Sequence, residues 1–267
     1  MVALSDKNKD DGPLQAMNVI RPATRLSQTT MRRAGQGDIA AALGGEILSG
    51  ARKPGERMPS DADMLKTFGV SRVVTREVIK TLAAKGLVAS RMKVGTVVLD
   101  PAHWNWLDAD VLSWRANAGL DLDFLQHITD VRRAVEPTAA ALAALHGTRA
   151  DVVKLREAVK GMADAEKDRR QFAEWDLRFH LAVCAASQNP FFQSFAAMIE
   201  TALFALLSLN ALAESPKLHT DSVARHTLIV DAIEARDPHL AARAMLRAVD
   251  GGFTNAKRVR RQATGQP

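Results

Sequence analysis

Asp176 and His180 stand four residues apart in DLRFH, a separation that puts a carboxylate and an imidazole on one face of an α-helix. Two such groups lie close enough to share a cation. His226 sits on a later stretch with an apolar stripe of Leu228, Ile229 and Ile233, four residues after Ser222. One carboxylate with two imidazoles is a donor set for Zn, Ni or Fe, with coordination positions left open for another ligand. The same Asp-x-x-x-His spacing also serves ordinary hydrogen bonds, so spacing alone leaves both uses open. Arg132 and Glu136 form another i,i+4 pair, which on a surface would contribute about a few tenths of a kcal/mol. Asn189, in SQNP, reads first as a turn residue and second as a pocket residue.

A second set of residues suits a different task. Arg72 and Arg76 are also four apart and project from the exposed N-terminal half of their stretch, with Ser71 before them and Thr75 between. Lys93 and Gly95 follow in a short turn. Such cationic side chains contact phosphate oxygens and base edges of duplex DNA and do no covalent chemistry. No Ser-His-Asp order, glycine-rich phosphate loop or Cys-x-x-Cys pair is present. The chain is therefore expected not to be an enzyme. The catalytic alternative is a metal-dependent hydrolase built on Asp176, His180 and His226, which would need a general base beside the metal and a site open to turnover. The other alternative is an architectural DNA-binding protein indifferent to any metabolite.

The elements around these residues follow from caps and periodicity. Residues Pro59–Val88 read as two helices joined by a tight turn. Ser60 is an N-cap with Asp63 at N3, Met64, Leu65 and Phe68 recur at helical spacing, and Gly69 ends the run. Ser71 caps the second helix, whose Val74, Val78, Ile79 and Leu82 form one stripe. Residues 87–99 then read as two short β runs around RMKVG. Helix, glycine turn, basic helix and wing make a winged helix-turn-helix, the arrangement that lays a recognition helix in the major groove. Asp38 is expected to cap the preceding helix, IAAALGGEILSG. Residues 1–37 are polar and read as a mobile extension, either a basic arm through Arg21, Arg25, Arg32 and Arg33 or a solvated tail.

Residues 101–120 read as a linker rich in tryptophan. Trp104, Trp106 and Trp114 are expected to form a packed seam between two domains, since indoles bury a large area in one place. Beyond it, helical patterns run over 121–145, 149–165, 170–186, 190–212, 220–235 and 238–260 with short breaks and no strand signal. Residues 121–260 should therefore be an antiparallel helical bundle.

Charge placement supports this division. Residues 1–100 carry 16 Lys and Arg against 10 Asp and Glu, and the remainder is balanced at 20 of each, so the net +6 belongs to the helix-turn-helix half. A phosphate-binding surface requires that excess, and a sensing or dimerising half does not. The single cysteine, Cys184, excludes an internal disulfide and fits a cytoplasmic protein. No run is apolar enough for a membrane span or signal peptide.

KPGERMPSDADMLKTFGVSRVVTREVIKTLAAKGLV resembles the DNA-binding domain of the GntR family of bacterial transcription regulators through PG-x-x-x-PS, GVSR, TRE and L-x-x-x-GLV. The resemblance puts the family's recognition arginines at Arg72 and Arg76 and its wing-tip glycine at Gly95. Ala62 departs from the larger polar residue many relatives carry, and Lys93-Val94-Gly95 departs from their Gly-x-Gly wing. Both bear on operator sequence more than on DNA binding. VRRAVEP, DLRFH and RHTLIVDAIEARD resemble the FCD effector domain of the FadR subfamily. That resemblance implies a divalent metal on Asp176, His180 and His226, with Ala248 where relatives place a fourth, histidine ligand. It also implies that Arg132 faces the pocket, where a guanidinium suits a carboxylate. The linker HWNWLDADVLSW is similar to that of galactonate-operon repressors, regulators of sugar-acid catabolism. The expectation is a mostly α, homodimeric regulator of operator DNA, with a winged helix-turn-helix at 38–100 and an effector-binding helical domain at 121–260. The effector would be a sugar acid such as galactonate.

Overall fold

The computed structural model describes residues 35–119, 121–208 and 216–264. The expected N-terminal extension lies, save for Gly35, Gln36 and Gly37, outside the described residues. The first unit comprises α1 (Gln36–Leu48), α2 (Asp61–Phe68), α3 (Arg72–Ala84), β1 (Val88–Arg91) and β2 (Gly95–Val98). Ser60 and Asp63 form a reciprocal capping box at the start of α2, and Gly69 closes it in the left-handed conformation. Asp38 is not the cap of α1. The helix begins earlier, with Gly35 at the N-cap, and Asp38 sits at N3, where its carboxylate accepts from the Gly35 N–H at 3.0 Å. The antiparallel hairpin pairs Val88 with Val98 and Arg91 with Gly95. Beneath α3, Val78 and Leu82 pack with Ile39, Leu43, Met64 and Leu87 in one closed core.

The linker is more ordered than its name suggests. A 3₁₀ turn at Pro101–His103 leads to α4 (Ala109–Ala118), capped by Asp108. The tryptophans do not form the expected seam. Trp104 is buried in the winged-helix core, with its indole N–H donating to the Leu99 carbonyl. Trp114 packs on α1 at Gly44, where a Cβ would come 2.2 Å from ring atom Cε3. Trp106 is partly exposed. The Lys85 ammonium, at the end of α3, then bridges Asp108 and Asp110 at 2.7 Å each. Together these contacts fasten α4 to the winged helix. Its other face, through Leu112 and Ala116, packs on the second unit at Phe124, Ile128, Met198 and Ala202.

That second unit contains α5 (Leu122–His146), α6 (Arg149–Asp164), α7 (Arg169–Ala186), α8 (Pro190–Gln193), α9 (Ala196–Ser208), α10 (Pro216–Glu234) and α11 (Pro238–Thr264). No strand occurs in it among the described residues. The helix expected over 190–212 is divided: Ser194 and Phe195 separate α8 from α9, and residues 209–212 lie outside the described residues. Helix α5 packs along α11 and α7, and α10 packs against both α11 and α6. Their shared core is rich in alanine, with Ala139, Ala140, Ala143 and Ala144 on α5, so the helices approach closely. No described helix is long and apolar enough to cross a membrane.

Candidate metal centre and DNA-facing surface

Asp176 and His180 lie one turn apart on α7, and α10 brings His226 to them. His226 Nε2 is 3.0 Å from Asp176 Oδ1, His180 Nε2 is 3.5 Å from it, and the two imidazole Nε2 atoms are 3.5 Å apart. Each is buried. Phe179 packs edge-on against both rings and fixes their orientation.

The partners behind the imidazoles set their protons. His226 Nδ1 is 2.8 Å from the Ser222 carbonyl, which can only accept, so Nδ1 carries a hydrogen and Nε2 is the ring atom that faces Asp176. His180 Nδ1 is 2.6 Å from Glu136 Oε2. Glu136 is also held by Arg132, whose Nε is 2.5 Å from Oε1. A carboxylate behind a ligating histidine is the usual second layer of a metal site. Asp176 Oδ1, meanwhile, has no hydrogen-bond donor, an unusual state for a buried carboxylate oxygen. Ligand bonds of about 2.0–2.2 Å leave donor atoms about 3.0–3.5 Å apart around one ion, and these three donor atoms have that spacing. The residues fit a divalent cation.

Electrostatics agree. Burial would raise Glu136, but the Arg132 and His180 charges pull its pKa down to about 2. Burial would depress His180, and Glu136 with Asp176 reverses this, to about 9. Asp176 is held well below the usual carboxylate range, against burial, by His180 and His226. Glu136 and Asp176 thus favour a proton on His180. A metal would displace it.

A cavity of about 40 Å³ opens onto this cluster. Arg132, Asp176, His180 and His226 line one side, Leu203 and Leu206 of α9 another, and Ala248 of α11 a third. Ala248 lines this cavity with a small side chain. Asn189 is not in the cavity wall: its Oδ1 caps α8 by accepting from the Phe191 N–H at 3.1 Å. The turn reading of Asn189 is therefore the one the structure supports. Sequence reasoning missed the role of Glu136, treated as a surface pair although it is buried. It also missed His219, which lines the cavity with Nε2 2.9 Å from the Met162 carbonyl. Only the spacing from Arg132 signalled the first, and nothing local signalled the second.

The other cluster is exposed. Arg72 is 85% exposed at its side chain, with Asp61 no closer than 3.6 Å, and Arg76 is exposed beside it. Ser71 caps α3, its hydroxyl facing the Val74 N–H. Thr75 departs from expectation. It is buried, and its hydroxyl donates to the Ser71 carbonyl at 3.2 Å, so it braces the first turn of α3 and does not face outward. At the hairpin tip Lys93 (φ 62°) and Gly95 (φ 97°) take positive φ, and Lys93 is exposed.

Comparisons with known proteins match both units. Residues 36–98 fit the model of the bacterial regulatory proteins of the gntR family, and residues 127–251 fit that of the FCD domain. The galactonate operon transcriptional repressor of Escherichia coli (strain K12) is 29% identical over 221 residues, spanning 83% of this chain and 96% of its own length. An uncharacterized HTH-type transcriptional regulator of the same strain, YieP, is 32% identical over 220 residues, spanning 79% and 92%. Among solved structures, Lar, which controls expression of the Listeria monocytogenes agr system, shares the fold with a TM-score of 0.55 at 21% identity, over 84% of this chain and 96% of that one.

Proposed function

Since the chain belongs to the GntR family of bacterial regulatory proteins, with an FCD domain, we propose that it represses a sugar-acid catabolic operon and responds to an aldonate such as galactonate. It is a DNA-binding transcription regulator, and the reading assigns it no catalytic step. The carrying observation is the convergence of Asp176, His180 and His226 on one buried point beside the cavity. A divalent cation there would supply Lewis-acid positions for a ligand's carboxylate and adjacent hydroxyl. Asp176, His180 and His226 would hold it, with Glu136 and the Ser222 carbonyl orienting the imidazoles. Arg132 Nη2 lies 3.5 Å from His180 Nε2, so a carboxylate arriving beside His180 meets a guanidinium already held in place by Glu136. Ala248 leaves space for the ligand's own oxygens to complete the shell. A long acyl chain suits the cavity less, because it would leave the polar cluster buried and unmatched.

The fold supports a route from cavity to DNA. Leu203 and Leu206 line the cavity, and Met198 and Ala202 on the same helix, α9, pack against Leu112 and Ala116 of α4. Helix α4 is in turn bolted to the winged helix by Trp114 on Gly44 and by Lys85 between Asp108 and Asp110. Displacing α9 would therefore carry α4 and the winged helix as one piece. Coupling of about 1–3 kcal/mol through such a path changes operator occupancy roughly 5–150-fold.

Two copies would read a two-fold operator through Arg72 and Arg76 in the major groove and Lys93 on the adjoining backbone. Val131 and Leu145 on α5 and Leu246 on α11 are exposed apolar side chains that a second chain could cover. Sedimentation at micromolar concentration tests this: a mass near twice 29.0 kDa is expected. Calorimetry with galactonate, in zinc and in chelator, tests the cavity. Equal binding in both would replace the metal-bridged reading with direct hydrogen bonding.

A further inference from the structure

In the first turns of α3 the outward face places one apolar side chain, Val73, beside Arg72 and Arg76. At about 100° per residue, Arg72, Val73, Arg76 and Lys80 fall within roughly one quarter of the helix circumference. All four are exposed, and the opposite face, through Thr75, Val78 and Leu82, is buried in the core. Val73 is 71% exposed. Isolated exposed valines are ordinary on a protein surface. This one sits at the edge of the cationic arc, with Arg72, Arg76 and Lys80 to one side and Glu77, one turn on, to the other.

Its chemistry limits what it can recognise. Valine has neither donor nor acceptor, so it reads no hydrogen-bonding edge. On a helix its branched side chain holds essentially one rotamer, and a rigid pair of methyl groups therefore projects at a fixed place. In the major groove the only apolar base feature is the C5 methyl of thymine. Polar or charged base edges would instead be left facing the valine without partners.

We propose that Val73 determines specificity by packing on the C5 methyl group of one thymine in each operator half-site, beside the contacts made by Arg72 and Arg76. The inference rests on α3 being the helix that enters the major groove. It adds an apolar, methyl-reading element to a face otherwise assigned only cationic contacts.

The test uses the full-length protein. Wild type selects its site from a random duplex library, and each thymine of the selected site is then replaced singly by deoxyuridine, which removes only the methyl group. Affinities are read by fluorescence anisotropy at one salt concentration, for wild type, Val73→Ala and Val73→Thr. At one thymine per half-site, deoxyuridine should weaken wild type about fourfold, the transfer value of one buried methyl-sized group. The same replacement should leave Val73→Ala unchanged, and Val73→Thr, which keeps one methyl group, should retain part of the discrimination. Equal losses in wild type and Val73→Ala at every thymine would overturn the proposal while leaving α3 as the recognition helix. A wild type that enriches no sequence would remove that helix assignment, and the proposal with it.

Discussion

Arg72 and Arg132 are both arginines four residues from a functional neighbour, and the fold treats them in opposite ways. Arg72 stands in water with Asp61 at 3.6 Å, so its charge costs the folded state almost nothing and stays available to phosphate or base. Arg132 is buried, with Glu136 at 2.5 Å and His180 beyond, and its charge is tolerable only because the set is complete. One surface keeps its charges free for a partner. The other matches its charges internally and gathers Asp176, His180 and His226 on one buried point. Substitutions in the first region should therefore be read in DNA affinity, and those in the second in stability and metal dependence.

The largest effect should come from Glu136→Ala. Removing the carboxylate strands two buried cationic groups, and urea unfolding should show a loss of about 3–5 kcal/mol. A loss no larger than that of a surface pair would erase the contrast between the regions. The metal site should give the next effect. Zinc at about a hundredfold over its Kd should stabilise wild type by about 2.7 kcal/mol and His226→Ala by far less, as seen in thermal unfolding.

The same experiment has a pH dependence with a definite sign. His180 is raised from 6.5 to about 9 in the folded, metal-free protein. Its contribution is therefore complete below about pH 6.5 and is lost as pH rises through about 9. Zinc needs the His180 lone pair, so the stabilisation by zinc should grow across that window. Zinc stabilisation that shrinks with rising pH would place the metal elsewhere.

Smaller effects belong to the exposed surface. Arg72→Ala should weaken specific binding by about 1–3 kcal/mol and relax base preference, with an unfolding curve unchanged from wild type. Lys93→Ala should weaken all sequences alike and reduce the slope of log K against log salt by about 1. Either variant destabilising the fold would blur the distinction between the two regions.

The difference also governs what could be read in advance. The DNA-facing surface is contiguous: Ser60, Gly69, Ser71, Arg72 and Lys93 fall within one short run, where caps and helical spacing act locally. Those signals located α2, α3 and the wing. Thr75 was misread for its polarity, although Val78, Ile79 and Leu82 follow it at three, four and seven residues, the spacing of the buried face. The metal cluster joins α5, α7 and α10. Sequence could supply its donor types, but the Glu136 partnership depends on how α5 packs on α7, which no local spacing encodes. The tryptophans failed similarly. Their size called for burial, yet the bare Gly44 on α1 decided where Trp114 went.

The central claim, that the cavity at Asp176, His180 and His226 governs operator affinity, is tested most directly by anisotropy on the selected operator in zinc, with and without galactonate, for wild type and His226→Ala. Galactonate should weaken wild-type binding by roughly 5–150-fold and leave His226→Ala unresponsive, although it binds DNA as tightly as wild type without ligand. An equal response in both proteins would contradict the claim.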